Sequence, residues 1–331
     1  MSSTSEDTGR TSWGLFRGDG VSRPVARMPE APPWRRFGAA TATDGPPVHP
    51  YRLGPAEADI VNAALHLRRP LLVTGKPGTG KSSLAYALAH ELGLGEVLHW
   101  PINSRSTLQA ALYRYDAIGR LRESARPAAE GAGADADPGE FVHLGPVGTA
   151  LVPGELPRVL LVDELDKGDI DLPNDLLTVF ENGFFDIPEL ARSREDAANG
   201  TAGAEVTVRT ADPDGPPALV RAGRITCTEF PVVVITSNGE REFPPAFLRR
   251  CLRLDLPEPD RDRLLDIIGT HLGSEALGSA EALLDDFLAR RAEGELATDQ
   301  LLNAVFLRHG GAPADRDHVH RAVLRSLGEG S

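Results

Sequence analysis

Eight residues constrain this chain more than any other stretch: Gly75-Lys76-Pro77-Gly78-Thr79-Gly80-Lys81-Ser82, which fits the pattern G-x-x-x-x-G-K-[ST]. The pattern is informative only between a buried strand and the start of a helix, and both neighbours are present. Leu71-Leu72-Val73 precedes it as a short apolar run, and Ala85, Leu88, Ala89 and Leu92 follow at the spacing of one helical face, with Gly93 as a stop. Such a loop turns its backbone amides toward an anion. Its glycines let the backbone wrap a phosphate with no Cβ in the way, and the helix N-terminus adds partial positive charge and free donors. Gly75 to Ser82, with Ser83 beside them, would form the cradle. Lys81 would reach the outer phosphate oxygens and Ser82 would ligate Mg2+. The competing reading is a flexible glycine-rich turn.

A second stretch answers the first. Val159-Leu160-Leu161-Val162 runs into Asp163-Glu164, and an apolar strand ending in adjacent carboxylates is what the other half of a nucleotide site requires. Asp163 would hold Mg2+, and Glu164 would polarise the attacking water, the task that separates hydrolases from phosphotransferases acting on a bound hydroxyl. Taken alone, Glu164 also reads as a solvated strand-end carboxylate. Val232-Val233-Val234-Ile235 leads into Thr236-Ser237-Asn238, which places Asn238 at the edge where ligands bind open α/β sheets. There it would orient the water, or serve as an ordinary turn residue. Phe247-Leu248-Arg249-Arg250-Cys251 follows Pro244-Pro245 in a short helical stretch. An arginine offered to a neighbour's γ-phosphate stabilises transition-state charge, with Arg250 preferred to Arg249; the alternative is a surface salt-bridging pair.

Apolar runs at 71–73, 98–102, 159–162 and 232–235 alternate with helical patterns, which predicts an α/β fold with a parallel sheet flanked by helices. Arg126 to Gly139 and Arg192 to Ala218 interrupt it, the second as a hairpin insertion rejoined at Arg224 to Thr228. Beyond Pro257 the period is helical, with Leu264, Leu265, Ile267 and Ile268, then Leu283, Leu284, Phe287 and Leu288, then Leu301, Leu302, Val305 and Phe306. The expected division is a flexible Pro/Gly-rich tail over 1–50, an α/β nucleotide-binding domain over 51–257 and a small helical lid over 258–331. Trp13, Phe16, Trp34 and Phe37 make the tail more aromatic than a pure linker needs, so docking of part of it on the body is a second expectation.

Charge narrows the partners. The chain carries −13, and its first 50 residues hold 6 basic and 5 acidic groups, so the excess lies in the body and argues against a phosphate-tracking nucleic-acid surface. Cys227 and Cys251 have no C-x-x-C or His/Cys company and read as small buried thiols of a reducing cytoplasm. No apolar run reaches the ~18 residues of a membrane span, and no signal pattern opens the chain.

The ordered set of Gly75 to Ser82, Asp163-Glu164, Thr236-Ser237-Asn238 and Phe247 to Arg250 resembles the AAA+ ATPases, as Walker A, Walker B, sensor 1 and arginine finger. Within them, Asp163-Glu164-Leu165-Asp166-Lys167 with Leu172-Pro173-Asn174-Asp175-Leu176-Leu177 resembles the MoxR-like branch. So does Ser237-Asn238-Gly239-Glu240 leading to Phe243-Pro244-Pro245-Ala246-Phe247-Leu248-Arg249-Arg250. The resemblance runs from about Arg52 to Arg308.

It implies a P-loop fold with insertions, ATP and Mg2+ as cofactors, and a ring, usually hexameric, with arginine supplied in trans. It also implies a remodelled client or a separate von Willebrand factor A-type partner. Leu144 to Leu151 would be a pore-facing hairpin. A sensor 2 arginine is missing at Thr298-Asp299-Gln300-Leu301, which leaves Arg290 or Arg291, or weaker coupling between nucleotide and lid. The expected function is Mg-dependent ATP hydrolysis that remodels a partner protein. An assembly switch with slow hydrolysis and a DNA-restriction-type motor are the alternatives. No N-K-x-D guanine signature and no L-S-G-G-Q stretch occurs.

Overall fold

The computed structural model describes residues 15, 19, 22, 28–35, 51, 53–124, 137–191, 205–213, 215–293, 296–310, 319 and 322–324. The expectations for most of the first 50 residues, for 125–136 and for 192–204 lie outside the described residues. The chain divides into two units: Pro50–Pro257, and Glu258–Ser331 together with Met1–His49.

The strands of the first unit are β1 Leu71–Thr74, β2 Leu98–Pro101, β3 Tyr113–Tyr115, β4 Val142–Leu144, β5 Val159–Asp163, β6 Phe184–Asp186, β7 Glu205–Val208, β8 Ala218–Arg221, β9 Arg224–Thr226, β10 Val232–Ser237 and β11 Leu252–Asp255. Five of them form a parallel sheet in the order β11-β1-β10-β5-β2. Alternation along each strand sends side chains to two separate cores. Leu71, Val73, Val159, Leu161 and Val234 pack against Leu84, Ala85 and Leu88 of the Lys81–Glu91 helix. Leu72, Leu160, Val162, Val233 and Ile235 pack on the other face with Leu176, Phe180 and Phe247. Burial on both faces is why these strands read as unbroken apolar runs. The edge strand β11 is the one not foreseen: Leu252 and Leu254 alternate with exposed Arg253 and Asp255.

Register then sets the site. Thr74 lies opposite Ser237, and Ile235 opposite Val162, so the residues that leave β1, β5 and β10 emerge level at one edge. The helix after the glycine loop differs from its expected face. Leu84 is buried in it, whereas Leu92 stands beyond its last residue and is 47% exposed, with Gly93 turning the chain at φ +65°.

Two smaller sheets accompany the first. β3 and β4 pair antiparallel, and β6-β9-β8-β7 form a four-stranded antiparallel sheet that contains the expected hairpin as β7 and β8. The expected pore-facing hairpin is corrected here. Leu144 ends β4, Pro146–Ala150 is one short helix, and Leu144, Val147 and Leu151 are 0% exposed. A Cβ on Gly148 would stand 1.9 Å from the carbonyl oxygen of Leu112, so this segment is built for close packing and not for presentation to a pore.

In the second unit, helices Arg261–Leu272, Leu277–Glu293 and Thr298–His309 close on Leu264, Ile268, Leu284, Phe287, Leu301 and Val305. Asp260 caps the first by accepting from the amide of Arg263 at 2.9 Å. Trp34, in a single turn at Pro33–Arg35, packs edge-on to Phe306 and His271 with ring centres 5.9 and 6.4 Å away. That stretch of the N-terminal segment is therefore ordered against the helices.

Candidate active site

The loop between β1 and the Lys81–Glu91 helix departs from ordinary backbone at three glycines, with φ +148° at Gly75, +78° at Gly78 and +86° at Gly80. A Cβ at Gly75 would also come within 2.8 Å of the carbonyl oxygen of Leu256. Lys76, Pro77 and Gly78 are exposed at the crest. Thr79 is buried, and its hydroxyl donates to the carbonyl of Lys76 at 2.9 Å, which tightens the turn. No side chain caps the helix that follows, so its first amides remain directed at the loop. Lys81 is 6% exposed and its ammonium donates to the carbonyls of Gly75 and Lys76 at 2.7 and 2.9 Å. Burial lowers its pKa, and the carboxylates of Asp166, Glu164 and Asp163 pull it back up.

Ser82 lies at the inner face of the helix start and Ser83 is exposed. The Ser82 hydroxyl donates to Asp163 Oδ1 at 2.6 Å, joining the two motifs that stand 81 positions apart. The Thr236 hydroxyl donates to the same oxygen at 2.6 Å, and His99 Nε2 stands 3.2 Å from Oδ2. Burial pushes the Asp163 carboxyl up, but the hydrogen bonds from His99, Ser82 and Thr236 together outweigh it and hold the pKa at about 2. The group is a carboxylate at any physiological pH.

Glu164 turns the chain out of β5 with φ +60° and ψ +50°, a left-handed conformation that costs a side-chain-bearing residue ~1–2 kcal/mol. Thr236 again supplies the compensation, accepting from the Glu164 amide at 2.8 Å. The Glu164 carboxylate accepts from Asn238 Nδ2 at 3.2 Å on Oε1 and from Lys167 Nζ at 2.7 Å on Oε2. It is 40% exposed, partnered and open to water at once. The expected pair Glu164 and Asn238 is thus brought into contact.

Arg249 and Arg250 follow the short Pro245–Leu248 helix. Within its own chain Arg250 forms an ion pair with Glu181 and donates to the carbonyl of Ala246 at 3.1 Å. Arg249 is tied through its carbonyl to the Arg69 guanidinium. In the helical unit, Arg291 donates to the carbonyl of Pro259 at 2.9 Å and lies 3.5 Å from Glu258, and Arg290 pairs with Asp286 at 2.9 Å. Both candidates for sensor 2 have partners inside their own unit. Cys227 and Cys251 are free thiols, and burial raises Cys251 to about 12, which removes it from chemistry near neutral pH.

Four residues of this site had no role assigned from sequence: His99, Asp166, Lys167 and Thr236. Thr236 left a signal, a hydroxyl on an otherwise apolar strand at the position just before the site edge. His99 left a weaker one, a polar residue between Leu98 and Trp100 on a strand with one face buried.

The family model for the AAA domain, dynein-related subfamily, matches residues 70–251. A search of curated proteins returns no match. Among solved structures, NtrX from Brucella abortus in complex with ADP is 13% identical with a TM-score of 0.38, over 81% of this chain and 53% of that one. NtrX from the same organism in complex with ATP is 12% identical with a TM-score of 0.38, over 78% and 52%. The chain spans about half the length of these matched chains.

Proposed function

The chain belongs to the AAA domain family, dynein-related subfamily, and from that premise we propose that it binds Mg-ATP in the glycine loop and hydrolyses it to drive remodelling of a partner protein. The observation that carries the proposal is convergence on one carboxylate. Ser82 and Thr236 both donate to Asp163 Oδ1 at 2.6 Å, while Glu164, the next residue, holds Asn238 at 3.2 Å. Three separate stretches of sequence meet there at one sheet edge.

The residues fit the nucleotide and its metal. Among the described residues no group of three or more His, Cys, Asp or Glu forms a cage. Magnesium needs none, because it is ordinarily held by one or two protein oxygens with phosphate oxygens and water completing its shell. Ser82 and Asp163 would hold it, and the ion would supply charge neutralisation between phosphate oxygens. Lys81 and the loop amides bind the phosphate chain. Glu164 accepts a proton from water, and Asn238 and Lys167 fix the direction of its carboxylate.

Arg250 serves a neighbouring subunit in this reading, so the site is complete only in an assembly, with a hexameric ring the expected form. The MoxR-like resemblance, a client or von Willebrand factor A-type partner and a cytoplasmic location belong to the same proposal. Among the described residues no helix is long and apolar enough to cross a membrane. ATP turnover per subunit measured across a dilution series tests the assembly: turnover should fall as the protein dissociates, and a constant value down to monomer rejects an arginine in trans.

A further inference from the structure

Asp166 is a carboxylate that the hydrolytic reading does not use, although it is 3% exposed. It lies in the turn Leu165–Lys167, directly after Glu164. Burying a carboxylate is costly unless its oxygens are paired, and among the described residues no salt bridge joins it to a cation. Its oxygens are treated unequally. Oδ2 accepts from the amide of Asn238 at 3.0 Å and from the amide of Glu240 at 3.1 Å, while Oδ1 is buried with no hydrogen-bond partner.

The turn that surrounds Oδ2 is shaped for it. Gly239 takes φ +79°, and its own amide donates to Ser237 Oγ at 3.0 Å. With that glycine in the left-handed region, the amides on either side of it point into one concavity, a backbone nest for an anion. The anion in this nest is the side chain of Asp166.

We infer that Asp166 is a positioning residue: it clamps the Ser237–Glu240 turn to the segment that carries Glu164, and so sets where Asn238 meets Glu164. The geometry leaves little slack. Asn238 is gripped through its backbone by Asp166 and through its side chain touches Glu164 Oε1 at 3.2 Å, so two residues spaced two apart hold both ends of one asparagine. Released from Asp166, the turn after β10 loses both backbone ties to the segment that follows β5 and keeps the Gly239 bond to Ser237, which lies within the turn, the side-chain bond of Asn238 to Glu164, and, just beyond it, the bond from Arg241 to the carbonyl of Gly168.

The inference rests on the hydrolytic reading, and one variant set separates the two. Full-length Asp166→Ala is compared with wild type for ATP turnover, for affinity of a fluorescent ATP analogue with magnesium, and for amide hydrogen exchange of the Ser237–Glu240 peptide without nucleotide. Exchange in that peptide should quicken about tenfold or more, and kcat should fall about tenfold or more, with analogue affinity changed less than about threefold. Asp166→Asn retains an acceptor oxygen for both amides and should recover most of each effect.

In an Asn238→Ala background, Asp166→Ala should cost less than about a further twofold, because its effect passes through Asn238. Independent, multiplying losses would overturn the inference, as would unchanged exchange in the turn, or loss of analogue binding in step with kcat. If the alanine variant does not fold, Asp166→Ser keeps a small polar group that cannot span both amides and runs the same cycle. A wild type that does not hydrolyse ATP refutes the hydrolytic reading alone, and the exchange measurement then decides the clamp by itself.

Discussion

Replacing Thr236 by valine removes one hydroxyl and leaves the shape of the side chain nearly unchanged, in a position that is 0% exposed. Two hydrogen bonds disappear with it. One is the donation to Asp163 Oδ1 at 2.6 Å, a bond to a charged acceptor worth ~1.5–3 kcal/mol, and the other is the acceptance from the Glu164 amide at 2.8 Å. The second loss strands a backbone N–H at a residue already in left-handed conformation, which adds ~1–3 kcal/mol. Asp163 is 20% exposed, so water repairs part of the first loss and the lower ends apply, for a total of about 2.5 kcal/mol. Thr236→Ser keeps both bonds and gives up one methyl, about 1 kcal/mol.

The gap between the two variants, about 1.5 kcal/mol, corresponds to roughly 3–6 °C in Tm for a unit of this size. Urea denaturation followed by far-ultraviolet circular dichroism measures it, provided the transitions keep the same m-value. Valine and serine variants equal within about 0.5 kcal/mol would refute the reasoning, since nothing but the hydroxyl distinguishes their polar contacts.

Asp163 gives a test on the acid side. Its pKa is depressed from 3.8 to about 2, so its ionised form contributes about 2 kcal/mol of stability above the unfolded value. That contribution is lost as pH falls through the folded value, and the difference between wild type and Asp163→Asn should shrink between pH ~4 and ~2. Urea midpoints at stepped pH check it; a constant difference contradicts the assigned hydrogen bonds. Glu164→Gln should lower ATP turnover about 10²–10⁴-fold while a fluorescent nucleotide analogue still binds, read by stopped-flow and titration. Subunits carrying Lys81→Ala mixed with subunits carrying Arg250→Ala should regain turnover that neither shows alone, and a silent mixture would place Arg250 outside the neighbour's site. Trp34→Ala should destabilise the helical unit by roughly 2 kcal/mol, seen as a lower midpoint in denaturation, because the indole packs on Phe306 and His271.

Much of the site was readable in the chain because its parts are local. A strand, a glycine turn and a helix start occupy consecutive residues from Leu71 to Glu91, and left-handed backbone at Gly75, Gly78 and Gly80 is a demand that glycine itself announces. Asp163-Glu164 and Asn238 were legible for a similar reason: each ends an apolar run, and strand ends in a parallel sheet carry the polar work. The family resemblance, and not this local logic, misled at Leu144–Leu151, where small and apolar residues suit a hairpin or a buried turn equally. Only close approach to the carbonyl of Leu112 shows which.

What the linear order settled is that a glycine loop between a strand and a helix, paired acids and a strand-end asparagine coexist. It could not settle which atoms touch, because hydrogen-bond partners depend on register between strands far apart in the chain. Thr74 opposite Ser237 and Ile235 opposite Val162 are facts of the sheet, and they alone bring Thr236 to both Asp163 and Glu164. The Asp166 clamp has the same origin. A buried carboxylate looks like any other charge in a sequence, and it becomes informative only when folding removes its water and gives it two amides from the turn that follows another strand.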